Sequence, residues 1–505
     1  VNKKTKNQSK KTNSFFVVEL LNSFTKRELA DFASFIACDY HNTDLHVVNL
    51  LDALTKQVIH QKAFDEALQS MAYCATFPKK SAPKKSLNSQ QKALLLAKMA
   101  VLTRLAETFL MYEELKENAA CKTELLYPQL LKRKQFALFH RNMTKDDKAL
   151  NGKTAKGVRD YAQKFRMESE HLLYLHHKEL LRTEDNMPEL IESLDVCYLI
   201  NKLKVYISCV ALARISAKKS YDMQPIEATT SLLNLPQYAE HPLIHIHKVA
   251  LDLLQKNTLR LYEELIQLLN TNEKFISNND LNDLYKIAVN FCSKKIKEGH
   301  SEFYQHALDI YRIMDSKNLL TEGNFMPINK LKNIITLACR LNEFDWAKES
   351  IEKYRPNLKK AHANSVYHFN MGLVAFYKND FKTALSHFIR VEKVNLAYDI
   401  NCRIMLLKSH YELDHEYDER SIRTFLLSER FIQSHKGLIT RDKKAYKNFV
   451  RILINIYNTR HGAGKMTAEK VRRKLEKLEF VSDKKWLEEK IEGLEKSASS
   501  QKRRV

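Results

Sequence analysis

Glycine and proline are what this chain goes without. Nine of each occur in 505 residues, against average usages of roughly 7% and 5%. An interior glycine costs a helix about 1 kcal/mol and a proline about 3, so a chain that avoids both is free to be helical almost throughout. Strand-to-helix turns that cradle nucleotides need clustered glycines, and their scarcity argues against a nucleotide-binding α/β enzyme. Cysteine is scattered rather than paired. Cys38, Cys74, Cys121, Cys197, Cys209, Cys292, Cys339 and Cys402 form no C-x-x-C motif. Most fall in apolar helical stretches, where a free thiol acts as a small hydrophobe, so a reducing compartment is expected. No stretch is expected to reach the roughly 20 apolar residues of a membrane span. The apolar run from Phe15 to Leu21, interrupted by Glu19, lacks the length of a secretory signal. The expectation is a soluble cytoplasmic protein. Val1, where methionine is usual, fits a bacterial alternative start codon or a trimmed methionine.

What is abundant is positive charge. Lysine and arginine number 83 against 60 acidic residues, a formal net charge of +23. Such an excess bears on partners rather than on fold, and makes polyanions candidate ligands.

A spacing carries the architecture. Ala347, Ala384 and Ser421 stand 37 residues apart (384 − 347 = 421 − 384 = 37), and Ile351, Phe388 and Phe425 keep the same step. A small residue followed four places on by a bulky apolar one, at a fixed interval, is what stacked helical hairpins require. The small residue admits a close helix approach and the bulky one fills the adjoining groove.

Six segments follow. A basic tail covers 1–13. An N-terminal helical cluster over 14–76 includes a capping box at Thr25 and Glu28. A basic, proline-containing linker over 77–89 ends at Ser89, a candidate helix cap. A long-helix region with a basic segment occupies 90–187. Helical repeats run over 188–496, and 497–505 is a second basic tail. The hairpins are expected at 191–217 with 224–233, 245–255 with 259–269, 281–297 with 302–314, 328–341 with 344–354, 366–377 with 381–394, 400–413 with 420–432 and 444–457 with 468–478. A last helix carrying Trp486, Leu487, Ile491 and Leu494 closes them.

Asn370, Met371 and Gly372, followed by Phe376, Tyr377, Asn379, Asp380, Phe381, Ala384, Leu385, Phe388 and Val391, resemble a tetratricopeptide repeat. Leu337, Ala338, Leu341, Asn342, Phe344, Ala347, Ile351 and Tyr354 repeat the pattern, with Ile335 in the glycine position, and Tyr304, Ala307, Tyr311 and Met314 echo its second helix. The resemblance implies an all-α fold: a right-handed α-solenoid of hairpins, preceded by an N-terminal helical region. Its period exceeds the usual 34 residues. It further implies a partner-binding concave face formed by the first helix of each hairpin. The matching positions are Lys332, Thr336, Arg340, Phe369, Leu373, Tyr377, Arg403, Leu406 and His410. Phe369 and Leu373 stand where a carboxylate clamp would need polar groups. Ser23 to Tyr40, with Leu50 and Leu51, is also similar to the opening of uncharacterised bacterial helical proteins.

A second surface is nucleic-acid-like. Lys132, Arg133, Lys134, Arg141, Lys153, Lys156 and Arg159 are interleaved with Phe136, Phe139, Tyr161 and Phe165. Cations beside aromatic faces hold single strands by phosphate contact and base stacking. The simpler alternative is a helix with a buried aromatic stripe and a lysine face.

Reactive constellations are scarce. The runs Asn151-Gly152-Lys153-Thr154 and Gly462-Ala463-Gly464-Lys465 lack the first glycine of a phosphate loop. His241, His245 and His247 are dense, and His241 and His245 could share a helical face, but Pro242 places His241 ahead of the helix and His247 points away from that face. Glu168 with His171, and Glu412 with His415, have the E-x-x-H spacing of a di-metal bundle without its other ligands. No catalytic residue, metal or cofactor is assigned. The leading expectation is a non-catalytic scaffold that binds a protein or peptide, the alternative a nucleic-acid-binding repeat protein, and the third an enzyme of unrecognised type.

Overall fold

The structure, a computed structural model, describes residues 16–57, 64–80, 83, 86–153, 157–181, 185–215, 229, 231–414, 416–434, 440–463 and 466–502. The 1–13 tail, part of the 77–89 linker, Thr154, Lys156, all of 217–228, His415, Gly464, Lys465 and the end of the second tail lie outside these residues. Among the described residues the fold is all-α, and the one β-type pairing is an isolated bridge between Glu322 and Phe325. The chain divides into two compact units, Val1–Tyr198 and Leu199–Val505.

In the first unit, α1 (Phe16–Ser23), α2 (Lys26–Ile36), α3 (Leu45–Gln57) and α4 (Glu66–Thr76) each pack on the long α5 (Ser89–Glu117). The capping box at α2 forms as expected: Glu28 N–H donates to Thr25 Oγ1 at 3.2 Å and Thr25 N–H to Glu28 Oε2 at 2.6 Å. At α5 the cap is Asn88, paired with Gln91, rather than Ser89. Phe77 and Leu87 are buried in the same core as α1–α5. The segment expected as a free linker is therefore anchored at both ends, because its terminal apolar side chains outweigh the polarity between them. A second core joins α6 (Ala119–Lys132), α7 (Phe136–Asn151) and α8 (Val158–His177) through Tyr127, Phe139, Met143 and Met167.

The division between units falls inside α9 (Met187–Ile215). Its 27-residue stretch Met187–Ala213, in which an 18-residue window has a mean hydropathy of 1.5, is long and apolar enough to cross a membrane by length and composition. That corrects the expectation that no such stretch exists. Val196, Leu199, Ile200 and Leu203 on this helix are buried, while Ile191, Leu194, Val205 and Leu212 are exposed.

The second unit continues with α10 (Pro236–Ala239), α11 (Pro242–Lys256), α12 (Leu259–Asn272), α13 (Asn278–Lys297), α14 (Phe303–Ser316), α15 (Ile328–Arg340), α16 (Phe344–Tyr354), α17 (Lys360–Tyr377), α18 (Phe381–Ile389), α19 (Leu396–Leu413), α20 (Glu419–Ser434), α21 (Thr440–Arg460), α22 (Ala468–Glu476) and α23 (Lys484–Lys502). From α11 onward each helix packs on the next, and α11 also meets α13, α15 meets α17, α17 meets α19, and α21 meets α23. The 37-residue register lands entirely inside: Ala347, Ala384 and Ser421 are fully buried, with Ile351, Phe388 and Phe425 beside them. Gly372 shows why a small residue is needed, since a Cβ there would sit 2.6 Å from the Phe388 ring.

The hairpin turns explain how so few glycines suffice. Asn257, Asn318, Asn342 and Asn379 take left-handed backbone angles, φ 53° to 62°. Asparagine tolerates this region better than other non-glycine residues. Glu343 N–H donates to Ala338 O at 2.9 Å, and Asp380 N–H to Ala375 O at 3.0 Å, the same helix-ending bond one period apart.

Candidate functional site

The end of α15 presents a cation without an anion. Arg340 is exposed, and its guanidinium lies 5.4 Å from the Tyr304 ring centroid and 5.6 Å from that of Tyr377. The rings come from α14 and α17, the helices packed on either side of α15. Among the described residues no carboxylate pairs with Arg340, although Asp483 and Glu489 are near enough to act electrostatically. The guanidinium is thus held flat by π-faces with its fork of N–H donors uncommitted. One and two turns back on the same face stand Thr336 and Lys332. Thr336 Oγ1 donates to Lys332 O at 2.8 Å. Burial pushes the Lys332 ammonium below its ordinary value, with no neighbouring carboxylate to offset it. Burial likewise raises the Tyr377 phenol to about 12.

Beyond Tyr377 the surface changes character. Lys408 is buried and bonded to Asp483, with its Nζ 4.8 Å from the Trp486 ring. Burial lowers the Lys408 ammonium, and Lys408 in turn holds the Asp483 carboxyl below the usual carboxylate range against the opposing effect of burial. Lys490 pairs with Glu412 at 2.5 Å. These are closed pairs with little left to offer a ligand.

The other positions inferred from the resemblance separate. Phe369 and Leu373 are buried and make no surface: Phe369 packs on Phe388 and, at 4.5 Å between ring centroids, on Tyr398. The expectation that they face a partner is corrected, because α17 is covered by both α15 and α19. Arg403 lies 3.9 Å from the Phe431 ring on α20. His410 Nδ1 is 3.1 Å from Ser421 Oγ, and burial lowers its imidazole. Lys332, Thr336, Arg340 and Tyr377 are the ones brought together.

The basic segment of the first unit is mixed. Lys132, Arg133 and Lys134 cluster at the C-terminus of α6, where Lys134 adopts φ 56° and cations favour the helix dipole. They are exposed, as are Arg141 and Arg159, while Lys153 pairs with Asp160 at 2.6 Å. Phe139 is fully buried and Phe136 packs against the same core. Two of the expected stacking faces are therefore spent inside the protein. Lys156 lies outside the described residues.

On α8 the sequence did bring chemistry together. Lys164 reaches Asp147 at 2.6 Å and Glu168 at 2.7 Å. His171 Nδ1 stands 3.6 Å from Glu168, and Asn186 Nδ2 donates to Glu168 O at 2.8 Å and to Oε2 at 2.9 Å. Burial alone would raise the Glu168 carboxyl, but the bonds from His171, Asn186 and Lys164 prevail and bring it down to about 2. A permanently ionised carboxylate is a poor proton shuttle, so the network reads as a wall rather than a catalyst. Only the i, i+4 spacing of Lys164 with Glu168 and the Glu168-x-x-His171 spacing hinted at it. The three histidines near α11 diverge instead: His247 is buried with Nδ1 2.7 Å from Leu243 O, and His245 lies 3.7 Å from Glu264.

Comparison of the chain with protein-family models, curated proteins and solved structures gave no match. The tetratricopeptide resemblance therefore rests on the residues of this chain alone.

Proposed function

We propose that the second unit is a right-handed α-solenoid of tetratricopeptide-like hairpins and serves as a non-catalytic scaffold that binds a carboxylate-bearing peptide segment of a partner protein. The observation that carries this reading is Arg340, exposed between two tyrosine rings with no carboxylate of its own. A planar fork of donors held in that way matches a carboxylate bidentately. Lys332, eight residues earlier on the same helix, adds a second cation about 12 Å away at 1.5 Å per residue. An extended peptide covers that distance in about four residues, so the segment recognised has acidic side chains about four apart. The recurring register and the chain of helix neighbours support the solenoid.

A peptide array pairing acidic sequences with their Asn/Gln counterparts tests it. Retention of the acidic members alone, lost with Arg340→Ala and reduced about tenfold with Arg340→Lys, is expected. Equal retention of acidic and neutral peptides would overturn it. Nucleic-acid binding through the first unit is the second reading, favoured by the exposed cations at the end of α6. With Phe136 and Phe139 turned inward it would act through phosphate contacts, and its affinity would fall steeply with salt.

A further inference from the structure

Helix α9 wears apolar residues outward. Between 191 and 212 its exposed positions are Ile191, Leu194, Tyr198, Asn201, Val205, Ser208 and Leu212, with Glu192 beside the first. Steps of three and four alternate along that series without a break, which is the 3.5-residue period of a coiled-coil seam. The opposite face is used inside the protein, where Val196, Leu199, Ile200, Leu203 and Tyr206 are buried. A polar stripe in this place would be an ordinary solvated face. Instead Ile191, Leu194, Tyr198, Val205 and Leu212 are 45% to 55% exposed, and Met187, one step earlier in the series, is 42% exposed.

We propose that this seam is a homodimer interface, in which α9 of one copy packs antiparallel on α9 of a second. Its width favours a helix over lipid, because the stripe keeps to the narrow a and d seam and includes Asn201 and Ser208. Its area suffices: six half-exposed apolar side chains at about 100 Å² each give about 1,200 Å² for a pair, the lower end of specific interfaces. Charge then selects direction and register. With Ile191, Tyr198, Val205 and Leu212 at a, and Leu194, Asn201 and Ser208 at d, Asp195 and Lys202 both fall at e. Both are half-buried. In an antiparallel pair e faces e. The register that sets Met187 against Leu212, Leu194 against Val205 and Tyr198 against Asn201 of the second copy brings Asp195 beside Lys202 twice. Sliding by one heptad would oppose Asp195 to Asp195, or Lys202 to Lys202. A parallel pair has no such match, since Asp195 and Lys202 would face Leu190 and Cys197.

Sedimentation velocity of the full chain tests it, with a dimer expected at about 10 μM. Leu194→Glu alters an exposed side chain and should keep its circular dichroism. It should weaken the dimer about tenfold or more, because each copy would bury a charge. Disulfide trapping reads the direction. On oxidation the double variant Leu194→Cys, Val205→Cys should give a covalent dimer. Leu194→Cys alone should stay at the parent's background, since its two thiols would stand about 16 Å apart along the helices. A parent still monomeric at about 100 μM, or an undiminished dimer in folded Leu194→Glu, would overturn the proposal. So would failure of the double variant to crosslink, or crosslinking of Leu194→Cys alone, which marks a parallel pair. Flotation of a monomeric parent with phosphatidylcholine vesicles would put the seam against lipid and overturn it too.

Discussion

Lys164 in the first unit and Arg340 in the second are both cations held by their surroundings, and they are held in opposite ways. Lys164 is gripped by two carboxylates at 2.6 and 2.7 Å. Arg340 is gripped by two rings and by no carboxylate. Salt-bridge partners consume the charge they fix in place. Aromatic faces fix a guanidinium and leave its donors free. The first arrangement builds a wall, and the second leaves donors available for the partner proposed above, so the difference separates a cation spent on its own fold from one whose hydrogen bonds are unspent.

Replacing the gripped cation should have the largest effect. Lys164→Met leaves Glu168, almost wholly buried, facing Asp147 without a counter-charge, a loss of about 3 kcal/mol. Hydrogen exchange of α7 and α8 in urea would read it. The same network sets an acid dependence. Glu168 has a folded pKa of about 2, below its ordinary 4.5. The stability it contributes is complete above about pH 5 and drains away as pH falls toward 2. Acid unfolding of α8 should therefore become shallower in Glu168→Gln.

Asp483→Asn probes the closed pair of the second unit. Lys408, with 5% of its side chain exposed, loses its counter-charge, at about 2 kcal/mol. Trp486 fluorescence would report the change, because Lys408 Nζ lies against that ring. Asn379→Val should cost about 1–2 kcal/mol by forcing a β-branched residue into φ 62°, and Asn379→Gly should cost nothing measurable by urea melting. Smallest is Arg340→Ala, an exposed change expected to stay within about 0.5 kcal/mol of the parent, though it should abolish peptide retention.

The elements were legible where one local rule decides them. The Thr25–Glu28 box, the helix from 328 and its partner from 344, and the buried set at Ala347, Ala384 and Ser421 follow from capping chemistry and period. Scarcity of glycine pointed to helix, but the turns had still to be made, and asparagine makes them. Faces were less legible. Phe369 and Leu373 carry the right spacing for an open groove, yet α17 is packed on both sides, and no single-helix pattern reveals a second neighbour. The Glu168 network was least legible, because Asp147, Lys164, Glu168 and Asn186 meet only through the packing of α7 and α8 and the approach to α9.

The most direct test of the distinction between the two cations is fluorescence anisotropy of an acidic peptide against the parent protein, Arg340→Lys and Lys164→Met. The account predicts that Arg340→Lys weakens binding about tenfold at unchanged stability, whereas Lys164→Met lowers stability and leaves the affinity of the folded protein unchanged. Parental affinity in Arg340→Lys together with lost affinity in folded Lys164→Met would contradict it.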